Sequence, residues 1–311
     1  MRRSEILSRL GYSVPDAANV RVIVDTDAKN EADDQFAIVH FLLSPSMDVR
    51  AVTAAHFEGK AGDGESMERS LQEIKKLLAL MEIDDVPALH GQRSPEDSEL
   101  SAAARFIIDE ARRDDPRPLY VAVLGAATNL AAALRAAPDI GERITAVWIG
   151  GGPYPKGRPE FNVAQDPDAA RTLLSSSVQV WQIPQDVFAA FEVTLAELFS
   201  KVRPCGRIGE YLARQLEEDN LREFNPHFLL RTGENWTLGD SATVAALLMS
   251  RFRGNFHTRP APVIAEDLTY IDNPGGKEIR VYDSLDVRMT LEDLFAKLAL
   301  AYGRNYEEES L

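Results

Sequence analysis

The chain has 311 residues, of which 45% are hydrophobic and 27% charged, and its formal net charge is -15 at pH 7. This apolar content is enough for a large core, whereas the acidic balance argues against a protein that grips nucleic acid, since a phosphate backbone needs a positive face. No stretch approaches the roughly 20 apolar residues of a membrane helix, and the absence of a recognisable secretion signal predicts a cytoplasmic protein.

Short apolar runs alternate with helical patterns along the first two-thirds of the chain. Runs rich in β-branched residues predict strands, and apolar residues three and four positions apart predict helices. The predicted elements, in chain order, are a strand at 21–25, a helix at 34–43, a strand at 48–56, a helix at 65–81, a strand at 119–125, a helix at 128–136, a strand at 144–152, a helix at 166–176 and a strand at 178–184. This alternation predicts βαβ units and a mainly parallel sheet that is covered on both faces.

The last third begins with a helical segment near residues 194–235. After it come a predicted helix at 241–252, strands at 262–271 and 278–283, and a closing helix at 289–303. No repeat or linker divides the chain, so we expect one α/β domain over residues 1–311, a doubly wound, mainly parallel (mixed) sheet flanked by helices, with a helical excursion near 194–235. Ligands of such sheets bind beyond the carboxyl ends of the strands, where candidate functional residues are expected.

Five acidic residues follow the first predicted strand within ten positions: Asp25, Asp27, Glu31, Asp33 and Asp34. Placing so many carboxylates together costs repulsion unless a cation offsets it. Oxygen ligands point to a hard ion, Ca²⁺ or Mg²⁺, of which Ca²⁺ accepts irregular shells more readily. The alternative interpretation is a solvated acidic loop in which Asp33 or Asp34 caps the next helix.

Four sequence blocks, in order, resemble the nucleoside hydrolase family. The first has an Asp-x-Asp at a strand end and an Asp-Asp at a helix start, and the others contain Gly-x-x-Thr-Asn, Gly-Gly with Glu-Phe-Asn, and a late Asp before a helix. They are VDTD with DDQFAI (residues 24–38), LGAATNLAAAL (124–134), WIGGG with PEFNVAQDPDAA (148–170) and LGDSATVAAL (238–247). The resemblance implies a hydrolase that cleaves the N-glycosidic bond of a ribonucleoside or related riboside, and a homodimer or homotetramer.

The resemblance also implies the roles of individual residues at the matched positions. Ca²⁺ would activate a water, Asp27 would act as general base towards that water, and nearby carboxylates would stabilise the oxocarbenium-like sugar. The implied roles are Ca²⁺ binding for Asp27, Asp34, Asp240 and the Leu124 carbonyl, ribose binding for Asp33, Glu160 and Asn162, and support of the acidic cluster for Asp25.

The chain departs from the family pattern at two places. Five residues, 28–32, separate Asp27 from Asp33 without the glycine that the signature usually contains. Many members place a histidine immediately before the late aspartate, where it protonates the departing base, and here that position is Gly239. Three residues are candidates to replace it, and each has a structural alternative. Trp236 would stack on a base, or else pack in the core. His227 would act as an acid, or else lie at the surface, and His56 would enter the pocket, or else be a hydrogen-bonded structural residue.

Two other functions compete with hydrolysis of ribosides. A haloacid-dehalogenase-like phosphatase also places Asp-Thr-Asp after a strand, but this function leaves the PEFN and LGDS segments unexplained. A ribose-binding or sugar-binding protein that has kept the metal pocket and lost catalysis would account for Gly239. Base release, phosphate release, or ribose binding without turnover distinguishes the three functions.

Overall fold

The structure is a computed structural model that describes residues 1–223, 232–250 and 254–303. Its strands, numbered in chain order, are β1 (Val20–Thr26), β2 (Met47–Ala54), β3 (Ala88–Leu89), β4 (Leu119–Val123), β5 (Ile144–Ile149), β6 (Gln179–Ile183), β7 (Glu192–Thr194), β8 (Asn235–Thr237), β9 (Asn255–Pro260), β10 (Val263–Ile264), β11 (Tyr270–Ile271) and β12 (Glu278–Ser284). The main sheet has eight of them in the order β3-β2-β1-β4-β5-β6-β12-β9. Its neighbouring strands are parallel, except for β12 and β9, which are antiparallel.

The helices connect the parallel strands and lie on both faces of the sheet. They are α1 (Arg3–Ser8), α2 (Asp34–Leu42), α3 (Glu58–Ala61), α4 (Ser66–Leu80), α5 (Ala102–Ala111), α6 (Thr128–Ala136), α7 (Phe161–Gln165), α8 (Pro167–Ser175), α9 (Gln185–Phe188), α10 (Leu195–Glu197), α11 (Gly206–Glu223), α12 (Ser241–Leu248) and α13 (Val287–Tyr302). Two 3₁₀ turns, at Asp16–Ala18 and Pro138–Arg143, and one π turn at Leu198–Val202 complete the described elements. The predicted fold class, a mainly parallel mixed sheet flanked by helices, is confirmed.

The side chains of β1 show why the central strands are apolar along their whole length. Val22 and Val24 belong to the core cluster formed with α2, α4, α11, α12 and α13. Ile23 belongs to the opposite cluster, formed with α5, α6 and α8, since successive side chains of a strand point to opposite faces. All three are fully buried. A strand covered on both faces therefore appears in the sequence as a continuous apolar run.

Several predicted elements differ from the structure. The predicted strand at 262–271 is a hairpin of β10 and β11 outside the main sheet, with Leu268 at φ +65 in the connection. The segment near 194–235 contains the antiparallel pair β7–β8 as well as helix. The strands β3 and β9 and the helix α5 were not predicted. The assignment of residues 1–311 to one domain stays a prediction, and no helix in the described part of the chain is long and apolar enough to cross a membrane.

Candidate active site

The loop between β1 and α2 carries the acidic cluster, and hydrogen bonds fix the path of its backbone. The amides of Lys29 and Asn30 donate to the Asp27 carbonyl at 2.6 and 2.7 Å. From outside the loop, Gln35 Nε2 donates to the Ala28 carbonyl at 2.6 Å. The Nε2 group of Gln215, on α11, donates to the Ala32 carbonyl at 2.9 Å. The loop therefore presents its carboxylates in a defined arrangement, although it is longer than the family signature.

Carboxylates from two distant segments meet beyond the end of β1. One oxygen from each of Asp33, Asp34 and Asp240 lies within 4.8 Å of the other two. Asp240 comes from the residue before α12, whereas Asp33 and Asp34 come from the start of α2. The buried Oδ2 of Asp27 has no hydrogen-bond partner in the described part of the chain. These oxygen donors fit a hard divalent cation such as Ca²⁺.

The electrostatics of the cluster also point to a cation. Burial raises the pKa of Asp34 to about 6. Burial, followed by repulsion from neighbouring carboxylates, raises the pKa of Asp27, Asp33 and Asp240 well above the ordinary value. One carboxylate oxygen of Asp34 lies within 4.8 Å of one of Asp240, so the two groups repel each other when both are ionised. A bound cation would offset this repulsion.

The helix-capping alternative has little support in this geometry. Asp33 occupies the N-cap position of α2 and Asp240 that of α12, yet neither side chain makes a capping hydrogen bond. The Asp34 carboxylate accepts a hydrogen bond from the Thr26 hydroxyl instead. The carboxylates are therefore directed towards one another rather than towards the backbone amides that a cap satisfies.

The segment after β5 contributes further residues to the lining of the site. Asn162 Nδ2 donates to the carbonyls of Leu124 at 2.8 Å and Ile149 at 3.0 Å, so it ties the ends of β4 and β5 together. The Glu160 carboxylate accepts three backbone N–H bonds, from Gly151 at 2.9 Å, Asn162 at 3.0 Å and Val163 at 3.2 Å. Burial raises the pKa of Glu160, and these donors oppose that shift. Glu160 is thus a rigidly held acceptor at the site.

Asp25, for which the resemblance implied a supporting role, does not line the cleft. Its Oδ1 accepts hydrogen bonds from Thr53 Oγ1 at 2.6 Å and Asn129 Nδ2 at 2.7 Å. Asn129 Nδ2 also donates to the Ala54 carbonyl at 3.0 Å, which links the ends of β1 and β2 to the start of α6. Burial raises the pKa of Asp25 to about 6.

Residues of the acidic cluster and of the segment after β5 line an open cleft with a volume of about 440 Å³. The lining combines acidic side chains with amide and backbone groups, and two phenylalanines complete it. The lining residues are Asp27, Asn30, Glu31, Asp33, Asp34, Leu124, Ile149, Glu160, Phe161, Asn162, Phe188, Gly239 and Asp240. All metal-binding and ribose-binding residues that the resemblance implied are among them.

Two of the three suggested substitutes for the missing histidine, His56 and Trp236, do not line the cleft. His56 is fully buried, and its Nε2 lies 2.8 Å from Thr128 Oγ1, which donates to Asp166 at 2.8 Å. Trp236 is 3% exposed and belongs to the core cluster, on the β7–β8 hairpin. His227 lies outside the described residues. Sequence analysis did not single out Phe188, although its position just after β6 meets the strand-end rule.

Comparison with known proteins supports the resemblance. The family model described as inosine-uridine preferring nucleoside hydrolase matches residues 22–292. A pyrimidine-specific ribonucleoside hydrolase, RihA of Salmonella arizonae, is 26% identical over 206 residues, which are 57% of this chain and 64% of that relative. The matched region thus spans less than two-thirds of the relative's length.

Two solved structures share the fold at low identity. The purine-preferring ribonucleoside hydrolase from Gardnerella vaginalis is 21% identical with a TM-score of 0.70, and the alignment covers 91% of this chain and 99% of that one. The type III effector protein XopQ, solved in complex with adenosine diphosphate ribose, is 17% identical with a TM-score of 0.66, covering 96% and 98% of the two chains. These likenesses concern the fold alone.

Proposed function

The chain belongs to the inosine-uridine preferring nucleoside hydrolase family, and on that premise we propose that it hydrolyses the N-glycosidic bond of a ribonucleoside or related riboside. The convergence of Asp33, Asp34 and Asp240 within 4.8 Å of one another carries the proposal. With the unpartnered Asp27 oxygen nearby, this cluster combines a cation site with a proton acceptor in one cleft.

We propose Ca²⁺ as the cation, held by Asp27, Asp34, Asp240 and the Leu124 carbonyl. When bound, the ion would supply a positive charge that lowers the pKa of a water in the cleft. The remaining steps belong to side chains of the chain. Asp27 accepts the proton of the attacking water.

The sugar is proposed to lie in the cleft between the acidic cluster and the segment that follows β5. Asp33 accepts a hydrogen bond from the ribose 2′-hydroxyl, and Glu160 and Asn162 hold other hydroxyls. As the bond to the leaving group lengthens, positive charge develops on the sugar ring, and the surrounding carboxylates stabilise it. Water attack opposite the leaving group would invert the anomeric centre.

We propose ribosides as the substrate class. RihA is named as pyrimidine-specific, the Gardnerella enzyme as purine-preferring, and XopQ was solved with adenosine diphosphate ribose. Ribose is the common part of these compounds, and Asp33, Glu160 and Asn162, which all line the cleft, are the side chains suited to it. The phosphatase alternative has no support from the family match. A ribose-binding protein without catalysis remains the second candidate, since Gly239 lacks a side chain that could protonate a base.

Product analysis separates these functions. The purified chain is incubated with Ca²⁺ and each of inosine, uridine, adenosine, adenosine diphosphate ribose and p-nitrophenyl riboside, and the released base or nitrophenol and free ribose are measured. Release from any of them supports hydrolysis. Ribose binding in calorimetry without release from any of them contradicts the proposal and supports the binding protein.

Two further statements are proposals that rest on the family. We propose a homodimer or homotetramer, which sedimentation analysis of the purified chain tests. The cytoplasmic location stays a prediction from the sequence.

A further inference from the structure

We propose that Phe188 forms the leaving-group wall of the cleft and selects ribosides whose leaving group is a planar aromatic ring; this rests on the proposed function. Phe188 is the last residue of α9, directly after β6, and this position brings its ring to the carboxyl-end edge of the sheet. The side chain is half-buried and lines the same cleft as the carboxylates.

The ring lies beside residue 239, the position where many family members carry a histidine. A Cβ atom on Gly239 would lie 3.1 Å from Phe188 Cδ2 and 3.8 Å from Phe188 Cε2. The same point is 3.5 Å from Asp33 Oδ2. The edge of the phenyl ring and the Asp33 carboxylate therefore flank one small volume. A side chain at position 239 would have to share that volume with the ring.

The position of Asp33 relates this volume to the scissile bond. Asp33 is proposed to hold the 2′-hydroxyl, and the carbon that bears this hydroxyl is bonded directly to the anomeric carbon. The leaving group on the anomeric carbon then lies next to the flanked volume, against Phe188. Phe161 offers a second aromatic ring in the same lining. Aromatic rings pack favourably against other planar rings in offset or edge-to-face arrangements.

Phe188 has no proton to donate, so its contribution is binding and orientation of the leaving group. Among the described residues that line the cleft there is no histidine, lysine or arginine. The wall formed by Phe188 and Gly239 thus holds a flat ring without supplying a cationic acid. Such a wall distinguishes a nucleobase or a nitrophenyl group from a small or flexible leaving group.

The first test distinguishes stacking by an aromatic ring from packing by an apolar side chain of similar size. Wild-type protein, Phe188→Ala, Phe188→Leu and Phe188→Tyr are compared by KM for the best nucleoside and by the inhibition constant of free ribose, which has no leaving group. Base-aromatic stacking is worth enough for KM to rise about tenfold or more in the Ala and Leu variants. The inhibition constant of ribose should stay within about twofold, and Phe188→Tyr should keep the wild-type KM.

A matched control is Phe199→Ala, since Phe199 is another half-buried phenylalanine but does not line the cleft. Its nucleoside KM should not change. A leucine variant with wild-type KM, or a parallel loss of nucleoside and ribose binding in Phe188→Ala, would overturn the stacking role while the proposed function stood. A wild-type chain that releases no base from any riboside would overturn the proposed function and this inference with it.

The second test introduces a side chain at position 239, into the volume that it would share with the Phe188 ring. Gly239→His alone brings its Cβ atom against the Phe188 ring, so we expect little gain in kcat for inosine. The double variant Phe188→Ala/Gly239→His frees the volume and allows an imidazole to protonate the base. Relative to Phe188→Ala, its kcat for inosine should rise about tenfold or more, and its kcat for p-nitrophenyl riboside should not rise. An equal gain in Gly239→His alone would show that Phe188 does not occupy this position.

Discussion

Asp27 lines the cleft, and one of its buried carboxylate oxygens has no hydrogen-bond partner in the described part of the chain. Asp25 also has such an oxygen, but it does not line the cleft. We predict that Asp27→Asn lowers kcat by at least about 10²–10⁴-fold, since loss of a general base alone costs that much. The amide also removes a charge from the proposed Ca²⁺ site. Steady-state kinetics with inosine or p-nitrophenyl riboside at saturating Ca²⁺ measure the effect.

The fold of the Asp27→Asn variant is checked by its near-ultraviolet circular dichroism, which should match that of the wild type. The amide is nearly isosteric with the carboxyl group, and one fewer buried charge relieves repulsion in the metal-free cluster. A variant that keeps a near wild-type rate would show that another group accepts the proton.

Gly151 is required because of both its backbone conformation and its neighbours. It has φ +83, and a Cβ atom there would lie 2.0 Å from Tyr270 Oη and 2.7 Å from Gln182 Nε2. Its amide donates to Glu160 at 2.9 Å. We predict that Gly151→Ala lowers kcat/KM at least about tenfold, because relief of this clash shifts the loop and the ribose acceptor that it holds.

The control for this prediction is Gly11→Ala. Gly11 has a similar φ of +73, but a Cβ atom there would meet nothing within 4 Å. An alanine in the left-handed conformation should lower the free energy of unfolding of this variant by only about 1 kcal/mol. If both variants kept wild-type kcat/KM, the Gly151 amide would have no part in positioning Glu160.

The structural elements show which features of the fold were predictable from the sequence. The ends of the strand β1 and of the helix α2 were predicted to within a residue or two. Each element is buried, and its apolar residues follow a single recognisable pattern. The strand β9 has no such pattern, because it is an edge strand whose residues are mostly exposed. The strand β3 has only two residues, too few for a period to appear. The pattern of α5 was present and was overlooked, since Ile107, Ile108 and Ala111 lie at helical spacing.

The candidate site was predictable in part for a related reason. Asp27, Asp33 and Asp34 lie within eight positions of one another in the sequence, so their clustering follows from the chain alone. The approach of Glu160 and Asp240 to that cluster depends on tertiary structure, and only the family resemblance indicated it. Phe188 belongs to none of the matched blocks, and its contact with Gly239 is visible only in three dimensions.

The helix α2 has the acidic cluster at one end and a buried histidine near the other. His40 is fully buried, and its Nε2 lies 2.7 Å from Asp293 Oδ2 on α13. Burial lowers the pKa of His40 from 6.5 to about 4, although Asp293 opposes the shift. Between these two pH values the unfolded chain binds a proton that the folded chain does not. We therefore predict that His40 makes the protein less stable as the pH falls from about 6.5 to about 4.

The measurement is the midpoint of urea unfolding at several pH values for wild type and for His40→Gln. Glutamine keeps a hydrogen-bond donor for Asp293 but does not titrate. Titration of the acidic cluster is common to both proteins and cancels in the difference. The wild type should lose more stability than the variant between pH 6.5 and 4. The same pH dependence in both proteins would contradict a buried neutral His40.

The net charge of the whole molecule and the local acidic cluster both favour the binding of cations. A formal charge of -15 attracts cations in general, but long-range attraction between exposed charges is screened by salt. The buried carboxylates of the cleft differ, because the folded chain holds them together whether or not an ion is bound. In the metal-free protein this repulsion opposes folding, so an ion that binds only the folded chain stabilises the whole molecule.

We predict that Ca²⁺ raises the Tm of the chelator-treated protein. At a concentration about 100 times the Kd, an ion that binds only the folded state adds about 2.7 kcal/mol, which corresponds to a shift of about 4 °C for a chain of this size. Mg²⁺ should give a smaller shift, because it demands near-octahedral geometry and retains its waters. NaCl at the same ionic strength tests for simple screening.

The variant Asp240→Asn should show opposite effects with and without the ion. It removes one of the mutually repelling charges, so its Tm without Ca²⁺ should equal or exceed that of the wild type, while the Ca²⁺-induced shift should largely disappear. Asp114→Asn, at an exposed position, removes the same formal charge and should keep the full shift. If NaCl reproduced the Ca²⁺ effect, or if Asp240→Asn kept the full shift, Asp240 would not be a ligand. The stabilisation would then come from the charge of the whole surface rather than from the cleft.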